Sequence, residues 1–117
     1  MLSDSSAARV YLATGATDMR KSIDGLAAMV SLQFKLDPFS DSLFVFCNRG
    51  RDRLKILYWD TNGFWLYYRR LERGRFKWPS DRSGTVTVTR RELGWLLGGL
   101  AIDQRQAHKP LFDRAVA

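Results

Sequence analysis

The pattern of apolar and polar positions predicts a short strand and then a helix in the first third of the chain. Residues 9–13 are β-branched and aromatic and stop at Thr14 and Gly15, as strands do. Apolar residues then recur at the spacing of a single helical stripe, at Ile23, Leu26, Ala27, Val30 and Phe34. We expect Thr17 or Asp18 to cap this helix, and the proline at position 38 to end the element.

The middle of the chain predicts three strands. Residues 43–47 are apolar at every position, which is typical of a central strand covered on both faces. Residues 53–59 and 64–70 flank Asn62-Gly63, a strong hairpin signal. The alternation gives the hairpin two faces, one with Leu54, Ile56, Tyr58, Trp65, Tyr67 and Arg69, the other with Arg53, Lys55, Leu57, Trp59, Phe64, Leu66, Tyr68 and Arg70.

The last third predicts two more short strands and a second helix. Residues 75–78 and 85–89 have strand character, and Thr89 with Glu92 has the form of a capping box before a helix over residues 90–97. The fold class expected is therefore α+β: a mainly antiparallel sheet of four to six strands with a helix near each end. The 117 residues fit one domain. We expect it over residues 9–102, between a flexible lead at 1–8 and a loose tail at 103–117.

Charge changes this picture of an ordinary small domain. The chain has 19 Lys and Arg against 12 Asp and Glu, a net charge of +7. Between positions 49 and 91 there are twelve basic residues and only four acidic ones, so this segment holds the whole excess. A charge run is often only a solvated face, but this one alternates with aromatic rings. Cations bind phosphates and flat rings stack on bases, which favours a nucleic-acid partner.

The candidate nucleic-acid contacts lie on the hairpin and in the segments on either side of it. Trp65 and Tyr67 fall on the more apolar face, and we expect them to pack in the core. We predict that cations contact phosphates and that rings on the basic face contact bases or a groove, the full set being Arg49, Arg51, Arg53, Lys55, Trp59, Phe64, Tyr68, Arg70, Arg73 and Arg75.

Enzymatic signals are weak. The single cysteine, Cys47, excludes an internal disulfide and any zinc site built on cysteines, and only one histidine is present. We find no glycine-rich phosphate loop and no hydrolase motif, and we expect no catalytic residue, metal or cofactor. Aspartates are numerous enough for a metal-dependent nuclease, but each has a plain role in a cap or a turn. No membrane-spanning or signal segment is evident, and we expect a cytoplasmic protein.

Several motifs in a fixed order resemble one known family. They include residues 14–21 (TGATDMRK), 48–55 (NRGRDRLK) and 70–79 (RLERGRFKWP). Together they resemble the TnpB-type accessory proteins of the IS sixty-six group of insertion sequences, over about residues 9–100. Ser22 and Gly50 depart from the family pattern, which usually has glycine and arginine there. The resemblance implies a bacterial protein that assists transposition beside the transposase of the same element, with no assigned catalytic residue.

Three questions stay open at this point. The basic hairpin predicts a DNA-binding factor, but arginine and aromatic residues also favour a protein-interaction module that docks on the transposase without touching DNA. Residues 14–21 form either a capped loop or a phosphate site at a helix start, with Arg20 and Lys21 beside it. The sequence leaves a homo-oligomer open.

Overall fold

A five-stranded sheet forms the centre of the computed structural model, which describes residues 9–80 and 84–99. The strands are β1 (Arg9–Ala16), β2 (Ser42–Cys47), β3 (Arg53–Asp60), β4 (Gly63–Arg70) and β5 (Thr85–Val88). Helix α1 (Ile23–Ala28) continues as a π-helical turn (Met29–Gln33), and α2 is Arg90–Leu97. The predicted lead and tail at 1–8 and 103–117 lie outside the described residues.

The strand order is β4-β3-β2-β1-β5. Only β1 and β2 are parallel, joined by a crossover through α1, and the other three pairs are antiparallel. The α+β class with a mainly antiparallel sheet is thus confirmed. Because of these directions, β1, β2 and β4 finish at the same end of the sheet, where β3 and β5 begin.

The central strand β2 is buried at every position, as its unbroken apolar run predicted. Its side chains alternate between two cores. On the side of α2, Val45 packs with Val10, Leu12 and Leu96, and on the side of α1, Phe44 and Phe46 pack with Leu26, Val30 and Leu57. Each fully buried side chain of this size contributes roughly 1.5–3 kcal/mol, so the two cores fix both helices on the sheet.

The first helix begins later than the sequence predicted. Its N-cap residue is Ser22, which makes no side-chain capping bond, and neither Thr17 nor Asp18 caps it. The Asp18 carboxylate instead accepts the backbone N–H of Arg20 at 2.9 Å, closing a turn outside the helix. The predicted apolar stripe is confirmed, because Leu26 and Val30 are fully buried against the sheet.

The hairpin is confirmed, with a loop of two residues, Thr61 and Asn62, between the paired Asp60 and Gly63. The two predicted faces are correct, since residues directly opposite each other in the register share a face. The expectation for Trp65 is wrong, because its side chain is 54% exposed. Trp65 lies on β4, at one edge of the sheet, whereas α2 packs on β1, three strands away. Helix α2 therefore does not cover the Trp65 side chain.

The segment predicted as a strand at 75–78 has no strand pairing. Phe76 is buried there, and the indole N–H of Trp78 donates to the carbonyl of Ala13 at 2.9 Å, so the segment lies across the sheet instead of extending it. The capping box of α2 is confirmed in both of its bonds. Within residues 9–80 and 84–99, no helix has the length and apolar character needed to cross a membrane.

Candidate nucleic-acid interface

Most of the basic residues collect where β1, β2 and β4 finish, which we call the basic end. The loop after β1 reaches it because Thr17 N–H donates to the carbonyl of Cys47 at 2.8 Å. The chain after β4 also returns there, since Leu71 N–H donates to Asp52 O at 2.8 Å and Phe76 N–H to Arg51 O at 2.7 Å. Against the acids Asp18, Asp24, Asp52 and Glu72, this end carries Arg20, Lys21, Arg49, Arg51, Arg53, Lys55, Arg69, Arg70, Arg73 and Arg75.

The other end of the described molecule is close to balance in charge. It is formed where β1 and β2 begin and β3 finishes, together with the start of α2. Its basic residues Arg9, Arg90 and Arg91 are offset by the acidic residues Asp37, Asp41, Asp60 and Glu92, so this end has no positive excess. The charge excess of the described residues is therefore concentrated at the basic end.

A cleft of about 710 Å³ opens at the basic end, on the side of the sheet that α1 covers. One wall is the loop after β1, with Thr17, Asp18 and Arg20, and a second is the loop after β2, with Asn48 and Arg49. The hairpin provides the rest through side chains of its basic face, namely Arg53, Lys55, Leu66 and Tyr68. The cleft thus joins parts of the chain about fifty residues apart.

Lys55 fastens the first wall to the sheet. Its ammonium group donates to the carbonyl oxygens of Met19 and Lys21, both at 2.8 Å. The loop is closed further by an ion pair of 2.7 Å between Arg20 Nη2 and Asp18 Oδ2. The hydrogen bonds from Arg20 lower the pKa of Asp18 to about 2, so this carboxylate stays ionised and paired at neutral pH.

Asn48 organises the second wall. Its side-chain oxygen accepts the N–H groups of Asp52 (3.1 Å) and Arg53 (3.0 Å), and its amide nitrogen donates to Asp52 Oδ1 at 2.8 Å. This last bond is the main reason that the pKa of Asp52 is lowered. Arg51, in the same loop, is half-buried, its Nη1 is fully enclosed, and its guanidinium lies near the thiol of Cys47.

Arg49 and Arg53 are exposed on the cleft and form no ion pair within the described ranges 9–80 and 84–99. Arg53 stands directly opposite Arg70 in the hairpin register, and the charge of Arg70 is partly met by Glu72 at 3.0 Å. Tyr68 stands opposite Lys55, whose Nζ lies 5.9 Å from the ring centroid, and the Tyr68 side chain is 53% exposed. Unpaired cations and an exposed ring therefore share one surface.

The structure does not bring all ten predicted contact residues together. Trp59 and Phe64 lie on the same face of the hairpin but near its turn, where both pack around Phe39 with ring centroids 5.0–5.5 Å apart. Arg73 and Arg75 are exposed in the segment after β4, and Arg75 is close enough to Asp52 to help lower its pKa. Of the predicted set, only Arg49, Arg53, Lys55 and Tyr68 line the cleft.

Two polar residues of the cleft, Arg20 and Asn48, are not among the contacts predicted from the sequence. The sequence places Arg20 only beside a possible phosphate site at a helix start. The topology could have placed Arg20 in the cleft. Because β1 and β2 are parallel neighbours, the loops that follow them, which carry Arg20 and Arg49, lie at the same end of the sheet. Among the residues that the structure describes, no cluster of three or more His, Cys, Asp or Glu could hold a metal ion.

Comparison with known proteins identifies the family. Residues 8–107 match the family model described as "IS66 Orf2 like protein". The chain belongs to the IS66 Orf2-like family. This IS66 Orf2-like protein is therefore an insertion-sequence accessory protein, in agreement with the resemblance given by its motifs.

Two relatives of this IS66 Orf2-like protein come from Sinorhizobium fredii (strain NBRC 101917 / NGR234). "Uncharacterized protein y4hO" is 41% identical over 100 residues, covering 86% of this chain and 87% of the relative. "Uncharacterized protein y4jC" is 34% identical over 100 residues, covering 86% of each chain. No solved structure matches the chain significantly.

Proposed function

We propose that this protein assists transposition of its insertion sequence by binding DNA through the basic end. The observation that carries the proposal is the juxtaposition of Arg53 and Arg70 on neighbouring strands, together with Arg49, which lines the same cleft as Arg53. Like charges directly opposite each other destabilise a sheet, and a phosphate between them removes that repulsion. Family membership supports the setting in transposition.

The surroundings of each basic residue determine the role that we propose for it. Arg49 and Arg53 contact phosphates directly, and Arg20 joins them from the opposite wall. Arg70, Arg73 and Arg75 add to the positive field at the same end. Lys55 and Arg51 act chiefly on the protein itself, because Lys55 bonds two carbonyls and the Arg51 guanidinium is turned inward.

Fluorescence anisotropy with a labelled duplex from the element's end tests the proposal. If about six phosphates are neutralised, affinity drops roughly a thousandfold between about 50 and 200 mM salt. The double variant Arg49→Ala, Arg53→Ala should bind more weakly and lower the salt slope by about two. The control removes two charges at the other end, Arg9→Ala with Arg91→Ala. Equal losses in both variants, or micromolar binding with a flat salt slope, would contradict the proposal.

A second candidate function has an observation of its own. Trp65 is more than half exposed on the edge strand β4 and stacks on Tyr67, with ring centroids 6.3 Å apart. Exposed tryptophan is typical of protein-interaction hot spots, which supports docking on the transposase of the same element. Under this alternative the two proteins co-purify after nuclease treatment, and Trp65→Ser breaks the complex. Loss of the complex on nuclease treatment alone counts against it.

A further inference from the structure

The cleft at the basic end presents cations and an aromatic ring to the same space. We propose that it takes one unpaired nucleotide of DNA, with the phosphate at Arg49 and Arg53 and the base on the ring of Tyr68. This inference rests on the proposed DNA binding and adds the form of the strand that the cleft accepts. It predicts a preference for single-stranded or extruded DNA over intact duplex.

The phosphate side follows from which cations are available. Arg49 and Arg53 line the cleft without an ion-pair partner in the described part of the chain, and of the two only Arg53 acts on a nearby carboxylate, that of Asp52. Arg20 also lines it, but two of its nitrogens are bonded to Asp18, so only part of its guanidinium remains to donate. Asp18 itself faces the cleft and repels a phosphate near the first wall. The phosphate is therefore best placed at the second wall and the hairpin.

The base side follows from Tyr68. Its ring is 53% exposed, and the nearby Lys55 ammonium, 5.9 Å from the ring centroid, is itself held by two backbone carbonyls. The ring therefore has a held positive charge beside it before any ligand arrives. In a duplex, the faces of the bases are covered by their neighbours, so a ring on a sheet can stack only on a base that has left the helix. An exposed ring among cations is typical of single-strand binding.

The size and lining of the cleft agree with one nucleotide. Its volume of about 710 Å³ lies in the range of small-ligand sites. The side-chain amide of Asn48, which also lines the cleft, is bonded to its own loop through its oxygen and one of its two N–H groups. Stacking on a ring tolerates any base, so we expect this contact to add little sequence preference.

The test compares three labelled DNA probes of equal length at one salt concentration: a single strand, a blunt duplex, and a duplex with an overhang of a few nucleotides. A 2-aminopurine in the unpaired part reports stacking through its fluorescence. The wild-type protein should bind the single strand and the overhang more tightly than the blunt duplex. A binder that responds to charge alone should favour the duplex, whose charge density is higher.

Three variants on one strand sharpen the test. Tyr68→Leu removes the stacking ring, and Trp65→Leu removes a ring of nearly equal exposure from the opposite face of β4. Tyr68→Leu should weaken single-strand binding by about five- to a hundredfold and abolish the 2-aminopurine change, while Tyr68→Phe retains both. Trp65→Leu should change neither.

The outcomes separate this inference from the function on which it rests. Equal wild-type affinity for the single strand and the blunt duplex, or equal behaviour of Tyr68→Leu and Trp65→Leu, overturns the nucleotide site and leaves DNA binding standing. Failure to bind any probe overturns both. The comparison of probes with the wild-type chain needs no variant to fold.

Discussion

The surroundings of Lys55 give this side chain a different role from the one that the sequence predicts. As one cation in a basic alternating strand it was predicted to contact phosphate, but its ammonium group bonds two carbonyls of the loop after β1. Lys55→Met keeps most of the aliphatic stem and removes both bonds. We expect this change to lower the free energy of unfolding by about 1–3 kcal/mol, as measured by urea denaturation.

The exposed Lys77 gives the control for that measurement. Lys77→Met removes the same charge from a side chain that faces solvent, and should change stability by less than about 0.5 kcal/mol. If the two variants are equally stable, Lys55 does not hold the loop, and its charge is free for other contacts.

Residue positions on the hairpin were predictable, but their partners were not. Alternation with period two assigned Arg53, Lys55 and Tyr68 to one face correctly, because parity depends only on the local backbone. The bonds from Lys55 reach residues more than thirty positions earlier in the chain. The local sequence pattern carries no information about contacts between residues so far apart. Trp65 was misassigned for a related reason, since its exposure depends on where α2 ends in space.

At the scale of elements, the start of α2 rests on a reciprocal pair of hydrogen bonds. Thr89 Oγ1 accepts the N–H of Glu92 at 3.0 Å, and Glu92 Oε1 accepts the N–H of Thr89 at 2.8 Å. Thr89→Ala should lower the free energy of unfolding by about 1 kcal/mol, measured by thermal or urea unfolding. Thr89→Ser retains the hydroxyl and should recover most of the loss. A serine variant as unstable as the alanine variant would show that the bond is not what matters.

The same comparison explains which elements the sequence predicts well. The capping box of α2 is local, so its residues alone identify the helix start. The start of α1 was placed too early because Asp18 bonds Arg20 in a separate turn, an outcome equally compatible with the local sequence. The segment at 75–78 has strand propensity, but the position of Phe76 in the core and the bond from Trp78 to Ala13 override it.

At the scale of the whole molecule, Cys47 reports on global unfolding. It is fully buried in the central strand, and burial raises the pKa of its thiol, which disfavours the reactive thiolate. We expect a thiol reagent at pH 8 to react with the native protein at least about a thousandfold more slowly than with the urea-unfolded chain. The urea dependence of the labelling rate should follow that of global unfolding. Labelling of the native state within tenfold of the unfolded rate would contradict this expectation.

The difference in charge between the two ends of the molecule affects its approach to a polyanion before any contact is made. With surplus positive charge at one end and none at the other, the described part of the protein has an electric dipole along its strands. Near a polyanion this dipole experiences a torque that turns the cleft toward the polyanion during diffusion. Salt screens the torque, with a Debye length of about 10 Å at 0.1 M. The arrangement of parallel β1 and β2 thus governs the direction of approach as well as the shape of the cleft.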